Sequence, residues 1–305
     1  MPGRVIAIVG PTASGKSAIA VEVAEAIGGE IVNADSRQVY RRMDIGTAKP
    51  SLAERARVQH HLFDIIGPTE SYSLALYRRD ARAAFESCWE RRVTPLLVGG
   101  TGQYVWGLLE DWRVPEVAPN ESLRAELAAF AAKAGSPALH ARLAAVDPVA
   151  AGRIDARNVR RVIRAIEVHA ATGVPISKWQ TKGGPDFAVQ VFGIDVEPAD
   201  LLERIDGRVV AMFEAGFVEE VEALLATGVP ASAPGMASIG YSQVVRLLGG
   251  EVSREEAIAL TQRATRQLAR RQRQWFRKDD ARIIWVRTAG EIVAAVEGCE
   301  GSGAC

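Results

Sequence analysis

Cysteine is scarce in this sequence. The 305 residues hold three, Cys88, Cys299 and Cys305, widely separated and without a CxxC pair. That spacing argues against a disulfide framework or a structural zinc site and suits a reducing compartment. Net charge is lacking too, since 37 Lys and Arg balance 37 Asp and Glu. Whole-molecule electrostatics therefore argue neither for nor against nucleic acid, and local charge must decide. No apolar run approaches membrane-spanning length. The first one, Val5 to Val9, is too short for a signal-peptide core and runs straight into a glycine-rich stretch. The expected address is the cytoplasm. Repeats are missing, and so are coiled-coil heptads, which favours a monomer. His60 and His61 are adjacent, so they point apart on either regular element and make a poor metal pair. The small-residue tail 299–305 is expected to fray.

What is present alternates. Arg4 to Val9 reads as a buried strand, Ala18 to Ile27 as a helix stopped at Gly28-Gly29, and Glu30 to Asn33 as the next strand. This βαβ pattern implies a parallel sheet, with the second strand beside the first. Further strands are expected at His61 to Ile66, Thr94 to Val98, Ala188 to Val196 and Ile283 to Arg287, with helices such as Ser73 to Arg91 between them. From about Val117 to Gly183 no strand pattern occurs. The expected fold class is therefore α/β, a P-loop-type parallel sheet carrying an all-helical insertion. Residues 1–116 and 184–298 would form the core, and 117–183 the insertion.

Between the first strand and helix lies GPTASGKS: Gly10, Pro11, Thr12, Ala13, Ser14, Gly15, Lys16 and Ser17. Backbone N–H groups of such a loop, together with the dipole of the following helix, favour an anion. Lys16 adds a point charge, Ser17 offers a hydroxyl to Mg²⁺, and Thr12 supplies one more donor. The loop signals polyphosphate binding without saying what is done with the phosphate. Asp35 follows the second strand, where parallel sheets bind ligands. It could hold a metal, accept a proton, or simply cap the next turn. The turn Gly99-Gly100-Thr101-Gly102 follows another strand and could reach the same cleft. Asp195, in VFGID, has two readings, a magnesium carboxylate or a helix cap.

Two arginine stripes stand out as well. At about 100° per residue, Arg263, Arg266, Arg270, Arg273 and Arg277 share one face of a helix, opposite Ala264, Leu268, Gln272 and Trp275. Arg153, Arg157, Arg160, Arg161 and Arg164 likewise group in the insertion, backed by Val159, Val162, Ile163 and Ile166. Without interleaved carboxylates, such stripes tilt towards a phosphodiester backbone.

Taken together, GPTASGKS, ADSRQVYRRMDIGTAKP, HHLFDII, GGTGQY, ASIGYSQ and RQLARRQRQWFR resemble the bacterial tRNA dimethylallyltransferases over nearly the whole chain. The resemblance implies that the phosphates belong to dimethylallyl diphosphate rather than to ATP. It implies transfer of the prenyl group to N6 of the adenine just 3′ of the anticodon, with Mg²⁺ as cofactor. The implied partners are tRNA, through its anticodon stem-loop, and the isoprenoid donor. It makes Asp35 the general base, assigns Thr12, Lys16 and Arg208 to the diphosphate, and gives Ser17 to Mg²⁺. It places tRNA contacts at Asp35, Ser36, Arg37, Gln38, Thr101, Arg124, Val159, Arg160, Arg161, Val162 and Ile163. The eukaryotic relatives' C-terminal zinc finger has no counterpart here. The resemblance also puts the Gly240 to Gln243 neighbourhood where the family meets tRNA, but the PGMASIGYSQ segment departs from the family by lacking a basic residue before IGY. A small-molecule kinase, an enzyme prenylating free adenine nucleotides, and an RNA-stimulated NTPase are the rival readings of the loop. The first two have no use for the arginine stripes, and the third calls for a second magnesium carboxylate.

Overall fold

Six short aliphatic runs pair side by side as parallel strands. In the computed structural model, which describes residues 3–179 and 181–302, they are β1 (Arg4–Val9), β2 (Glu30–Asn33), β3 (His60–His61), β4 (Pro95–Gly99), β5 (Ala188–Ile194) and β6 (Ile283–Val286). Their order across the sheet is β3-β2-β4-β1-β5-β6, all neighbours parallel. Val5 to Val9 are wholly buried, because helices cover both faces of such a sheet and leave no polar side to alternate with. On one face, Ala20, Val21, Val23 and Ala24 of the helix Lys16–Ile27 pack against Ile6, Ile8 and Phe192, joined by Ile292 and Val296 of the last helix, Ala289–Ser302. Each fully buried Val, Ile or Phe there contributes about 1.5–3 kcal/mol. The helix Lys16–Ile27 ends as its glycines require: Gly28 sits at φ 64° and donates its N–H to Ala24 O.

Two expectations need correction. The βαβ pattern implies β2 beside β1, but β4 lies between them, so the crossover skips one place. The strand expected over His61 to Ile66 shrinks to His60–His61, since Leu62 and Asp64 take left-handed φ values of 64° and 56° that no strand accommodates. Only an isolated bridge, Tyr40 with Ile66, resumes the pairing.

The chain divides into two compact units, Met1–Leu109 with Pro185–Cys305, and Glu110–Gly184. In the second, the described residues form helices and no strand: Glu121–Ala134, Ser136–Val146, Pro148–Ala151, Val159–Thr172 and Ile176–Trp179. Leu127, Leu139, Leu143, Val162 and Ala165 make its core. In the first unit, a second apolar cluster packs Val39 and Met43 against Phe213, Phe217 and Tyr241. It seats the helix Pro198–Glu214 beside the loop that follows β2. Of the expected tail, residues 303–305 lie outside the described residues, as do the side chains of 299–302. Among the described residues no helix is long and apolar enough to cross a membrane.

Candidate active site

The site is built at the C-terminal ends of β1, β2 and β4. After β1 the chain wraps through the glycine-rich loop, with Ala13 at φ 62° and Gly15 at φ 87°. These left-handed residues curl the backbone into a concave nest of N–H groups at the start of the helix Lys16–Ile27. Ser14 Oγ is buried there with no hydrogen-bond partner. Lys16 Nζ lies 3.3 Å from Pro11 O. Burial lowers the Lys16 pKa from its ordinary range to about 8. Asp35 opposes that shift and Arg208 adds to it.

Asp35 leaves β2 on a tight turn. The buried Asn33 accepts the Asp35 amide at 3.0 Å, while its own amide nitrogen donates to Asp35 O and Leu62 O. Asp35 Oδ1 in turn accepts the Arg37 N–H at 2.8 Å. The carboxylate thus both caps the turn and lines the cavity. Although β4 intervenes between β1 and β2, its end carries no bulk. A Cβ on Gly99 would overlap the Ala34 carbonyl, so only glycine lets the Asp35 loop close over β4.

One cavity is lined by Thr12, Lys16, Ser17, Asp35, Gln38 and Arg208. Arg208 comes from the helix Pro198–Glu214 and donates to Ala48 O at 3.3 Å. Burial lowers its pKa while Asp35 supports its charge. The remaining lining mixes polar Asn33, Thr47 and the half-buried His60 with apolar Ile31, Pro50, Phe63 and Val98. Cationic donors, a carboxylate and several apolar side chains therefore share one enclosure. The hard oxygens of Ser17, Thr12 and Asp35 suit Mg²⁺ beside a phosphate.

Several expected contacts have other partners. Thr101 ties the turn after β4 to the Asp35 loop: its Oγ1 accepts the Ser36 N–H at 3.0 Å and its N–H donates to Ala34 O. Gln38 is buried, its amide nitrogen donating to Thr47 O and Ala48 O. The exposed Arg37 reaches Pro234 O at 3.3 Å. In the helical unit, Arg124 grips Glu167 through two bonds of 2.8 and 3.0 Å. Glu167 is fully buried. Burial works against its ionised form, yet Arg124, the Asn120 amide and Arg164 hold its pKa below the ordinary range. Arg124 is thus an internal clasp, because that buried charge must be neutralised. Val162 and Ile163 are core side chains of the same unit. Arg160 and Arg161 are exposed and Val159 half-buried.

The arginine stripes do have carboxylates. Arg266 pairs with Asp206, Arg157 with Asp155 and Arg164 with Glu167. Arg277 lies beyond the helix Arg254–Trp275 and pairs with Asp279. Asp195 is held by Lys278 and lies off the cavity lining, so neither the magnesium reading nor the cap reading is needed.

Three other features were not legible in the chain. Gln272, buried on the helix Arg254–Trp275, accepts the Thr12 N–H at 2.7 Å and donates to Gly100 O at 3.0 Å. Glu220 accepts the successive N–H groups of Asp44, Ile45 and Gly46 and the Tyr241 hydroxyl. This gives the IGY segment a structural task. Glu30, His61 and Cys88 form a cluster that could hold a metal. There His61 Nε2 lies 2.7 Å from Glu30, which Arg91 also grips with both guanidinium nitrogens. Arg91 already neutralises the carboxylate, and burial followed by the Glu30 charge raises Cys88 to about 12. The cluster closes as an ion pair.

The chain is similar to known proteins over most of its length. A family model described as IPP transferase matches residues 38–279, and one described as isopentenyl transferase matches residues 3–63. The tRNA dimethylallyltransferase of Chloroflexus aurantiacus is 50% identical over 282 residues, 92% of this chain and 95% of the relative. That of Thermomicrobium roseum is 48% identical over 274 residues, 90% of this chain and 83% of the relative. The crystal structure of the full-length tRNA isopentenylpyrophosphate transferase from Bacillus halodurans superposes with a TM-score of 0.71 at 37% identity, covering 97% and 96% of the two chains. A eukaryotic dimethylallyltransferase acting on tRNA gives a TM-score of 0.83 at 25% identity, covering 99% of this chain and 80% of that one.

Proposed function

This chain belongs to the IPP transferase family, and from that premise we propose that it transfers a dimethylallyl group from dimethylallyl diphosphate to N6 of the adenine 3′ of the anticodon in tRNA. The observation that carries the reading is the single cavity in which Thr12, Lys16, Ser17 and Arg208 face Asp35. Four donors, two of them cationic, match a diphosphate that gains charge as it departs. The carboxylate matches an amine that must lose a proton.

The roles follow from position. The adenine leaves its stack in the anticodon loop, where unstacking costs least. Its N6 attacks C1 of the donor, the C1–N bond forms and the C1–O bond breaks, releasing diphosphate. Asp35, held by Asn33 and the Arg37 amide, takes the N6 proton. Thr12, Lys16 and Arg208 stabilise the leaving oxygens. Mg²⁺, held at the Ser17 hydroxyl when bound, supplies further neutralisation of the diphosphate. The apolar side chains around Phe63 suit the prenyl chain. Gln38, its amide nitrogen committed to backbone carbonyls, reads the base through its carbonyl oxygen, beside Ser36 and Arg37. The helical unit contributes the exposed Arg160 and Arg161 to the phosphates of the anticodon stem-loop. Acting on tRNA, the protein works in the cytoplasm, as a monomer.

The test is incubation of the protein with Mg²⁺, labelled dimethylallyl diphosphate and an anticodon stem-loop containing the adenine. Label should enter the RNA without ATP. Consumption of ATP with no label in RNA would return the protein to the kinase reading.

A further inference from the structure

Gln272 stands at a junction. Its Oε1 accepts the Thr12 N–H at 2.7 Å, and its Nε2 donates to Gly100 O at 3.0 Å. Thr12 belongs to the phosphate loop. Gly100 begins the turn whose next residue, Thr101, accepts the Ser36 N–H and donates to Ala34 O. Ala34 and Ser36 flank Asp35. A path of hydrogen bonds, with one covalent step from Gly100 to Thr101, thus runs from the phosphate loop through Gln272 to both sides of the Asp35 turn.

The packing makes this junction specific. Gln272 is buried, and a buried amide needs its bonds satisfied. A Cβ on Gly100 would overlap Gln272 Nε2 and come within 3.0 Å of Gly10 O. The turn after β4 therefore meets the side chain and the phosphate loop at the closest approach the backbone permits. Three residues further along the same helix, the Trp275 carbonyl accepts the Trp106 indole N–H at 3.0 Å. A Cβ on Gly102 would overlap the Trp275 ring. Two side chains of the helix Arg254–Trp275 thus dock against the turn region that follows β4, and of the two it is Gln272 that extends to Thr12.

We infer that Gln272 is a positioning residue of the transfer reaction, holding the Thr12 end of the phosphate loop at a set distance from the Asp35 turn. The inference rests on the function proposed above. The donor's C1 and the base's N6 are carried by different loops, and transfer requires their separation to be right before the bond forms. An offset of one ångström between such groups costs on the order of 100-fold in rate. Gln272 touches neither reactant, and its effect passes through Thr12 and Gly100.

The variant Gln272→Met keeps the side chain's length and removes both hydrogen bonds. We measure single-turnover transfer of labelled dimethylallyl from its diphosphate to the stem-loop, at saturating concentrations of both, alongside the dissociation constant of each. The expected result is a rate lowered roughly 10- to 100-fold with both dissociation constants within about threefold of the parent. A cycle with Thr12→Ala gives a readout that a purely structural role does not move. If Gln272 acts through Thr12, the threonine substitution costs much less in the Gln272→Met background than in the parent. If Gln272→Met fails to fold, Gln272→Glu, which can still accept from Thr12 but loses the donor to Gly100, is read the same way. A transferring parent whose variant keeps the parental rate, or a cycle whose effects multiply independently, overturns the inference alone. A parent that transfers no label overturns the proposed function and the inference with it.

Discussion

Gln38 and Arg208 donate to the same acceptor, the carbonyl oxygen of Ala48, at 2.9 and 3.3 Å. One residue follows β2 and the other sits on a helix 170 positions later, so the Ala48 carbonyl joins the acceptor side of the cavity to the donor side. Thr47 and Ala48 are themselves held from behind. Glu220 takes the preceding N–H groups of Asp44, Ile45 and Gly46, and the buried Lys49 bridges Asp44 and Asp64. This part of the cavity wall is therefore tied from both sides, and the roles assigned to its residues can be tested one at a time.

Asp35→Ala should lower turnover by about two to four orders of magnitude, the usual worth of a positioned general base. Donor binding should change little, because the phosphate loop does not depend on this carboxylate for its shape. Rapid-quench transfer assays with a donor titration separate the two. Near-parental turnover would remove Asp35 from the chemistry.

Thr12→Ala and Arg208→Ala should each cost about 3 kcal/mol in the chemical step, the loss expected for a donor aimed at charge that develops in the transition state. Stem-loop affinity should be nearly unchanged. An effect confined to RNA affinity would show that the residue does not serve the diphosphate.

Lys16 gives the site a pH dependence of known sign. Its pKa in the folded protein is about 8, against an ordinary 10.5, with burial as the main cause. A diphosphate needs the ammonium, so donor affinity should be constant below pH 8 and weaken as pH rises above it. The same group makes an opposite contribution to folding: between pH 8 and 10.5 the unfolded chain holds more protons, so stability rises with pH in that window. Donor titrations from about pH 6.5 to 10 should show the break, and Lys16→Arg should remove it, because a guanidinium keeps its charge throughout that range. A flat profile in the parent would contradict the assignment.

Replacing Arg160 and Arg161 together by alanine should weaken stem-loop binding and lower its salt slope by about 0.7–0.9 for each RNA phosphate left without its arginine. The rate at saturating RNA should stay near the parent's, since backbone contacts position without doing chemistry. Arg266→Ala should do much less, because that guanidinium is already paired with Asp206. Fluorescence titrations at several salt concentrations would distinguish the two, and equal slopes in parent and double variant would exclude the insertion as a phosphate-binding face.

Tyr241→Phe removes a 2.6 Å hydrogen bond to the Glu220 carboxylate and should destabilise the protein by about 1.5–3 kcal/mol, the range for bonds to charged groups. Urea unfolding measures it. The rate at saturating substrates should fall only modestly, because Glu220 keeps its three backbone donors. A rate loss as large as that of Asp35→Ala would give the IGY segment a direct part in the reaction.

The sequence by itself determined five of the six strands, the first helix and the phosphate loop. Their signals are local: β-branched runs, a 3.6-residue period, Gly28 at a helix end, and four residues between Gly10 and Gly15-Lys16-Ser17. Asp35 was legible for the same reason, standing just past the end of a strand. Only the tertiary structure decided the strand order, which inserts β4 between β1 and β2, the use of Gly99 to let the Asp35 turn close over that strand, and the use of Gly100 to admit Gln272 and the phosphate loop. It also decided which charges are free. Arg124 and Arg160 look alike in the chain, yet one neutralises a buried Glu167 that lies 43 residues away and the other faces solvent. Gln272 likewise carries no local mark, since its partners Thr12 and Gly100 lie 260 and 172 residues distant. Periodicity reports which face of an element is buried. It cannot report what a buried polar group meets there, because that partner is brought by the fold.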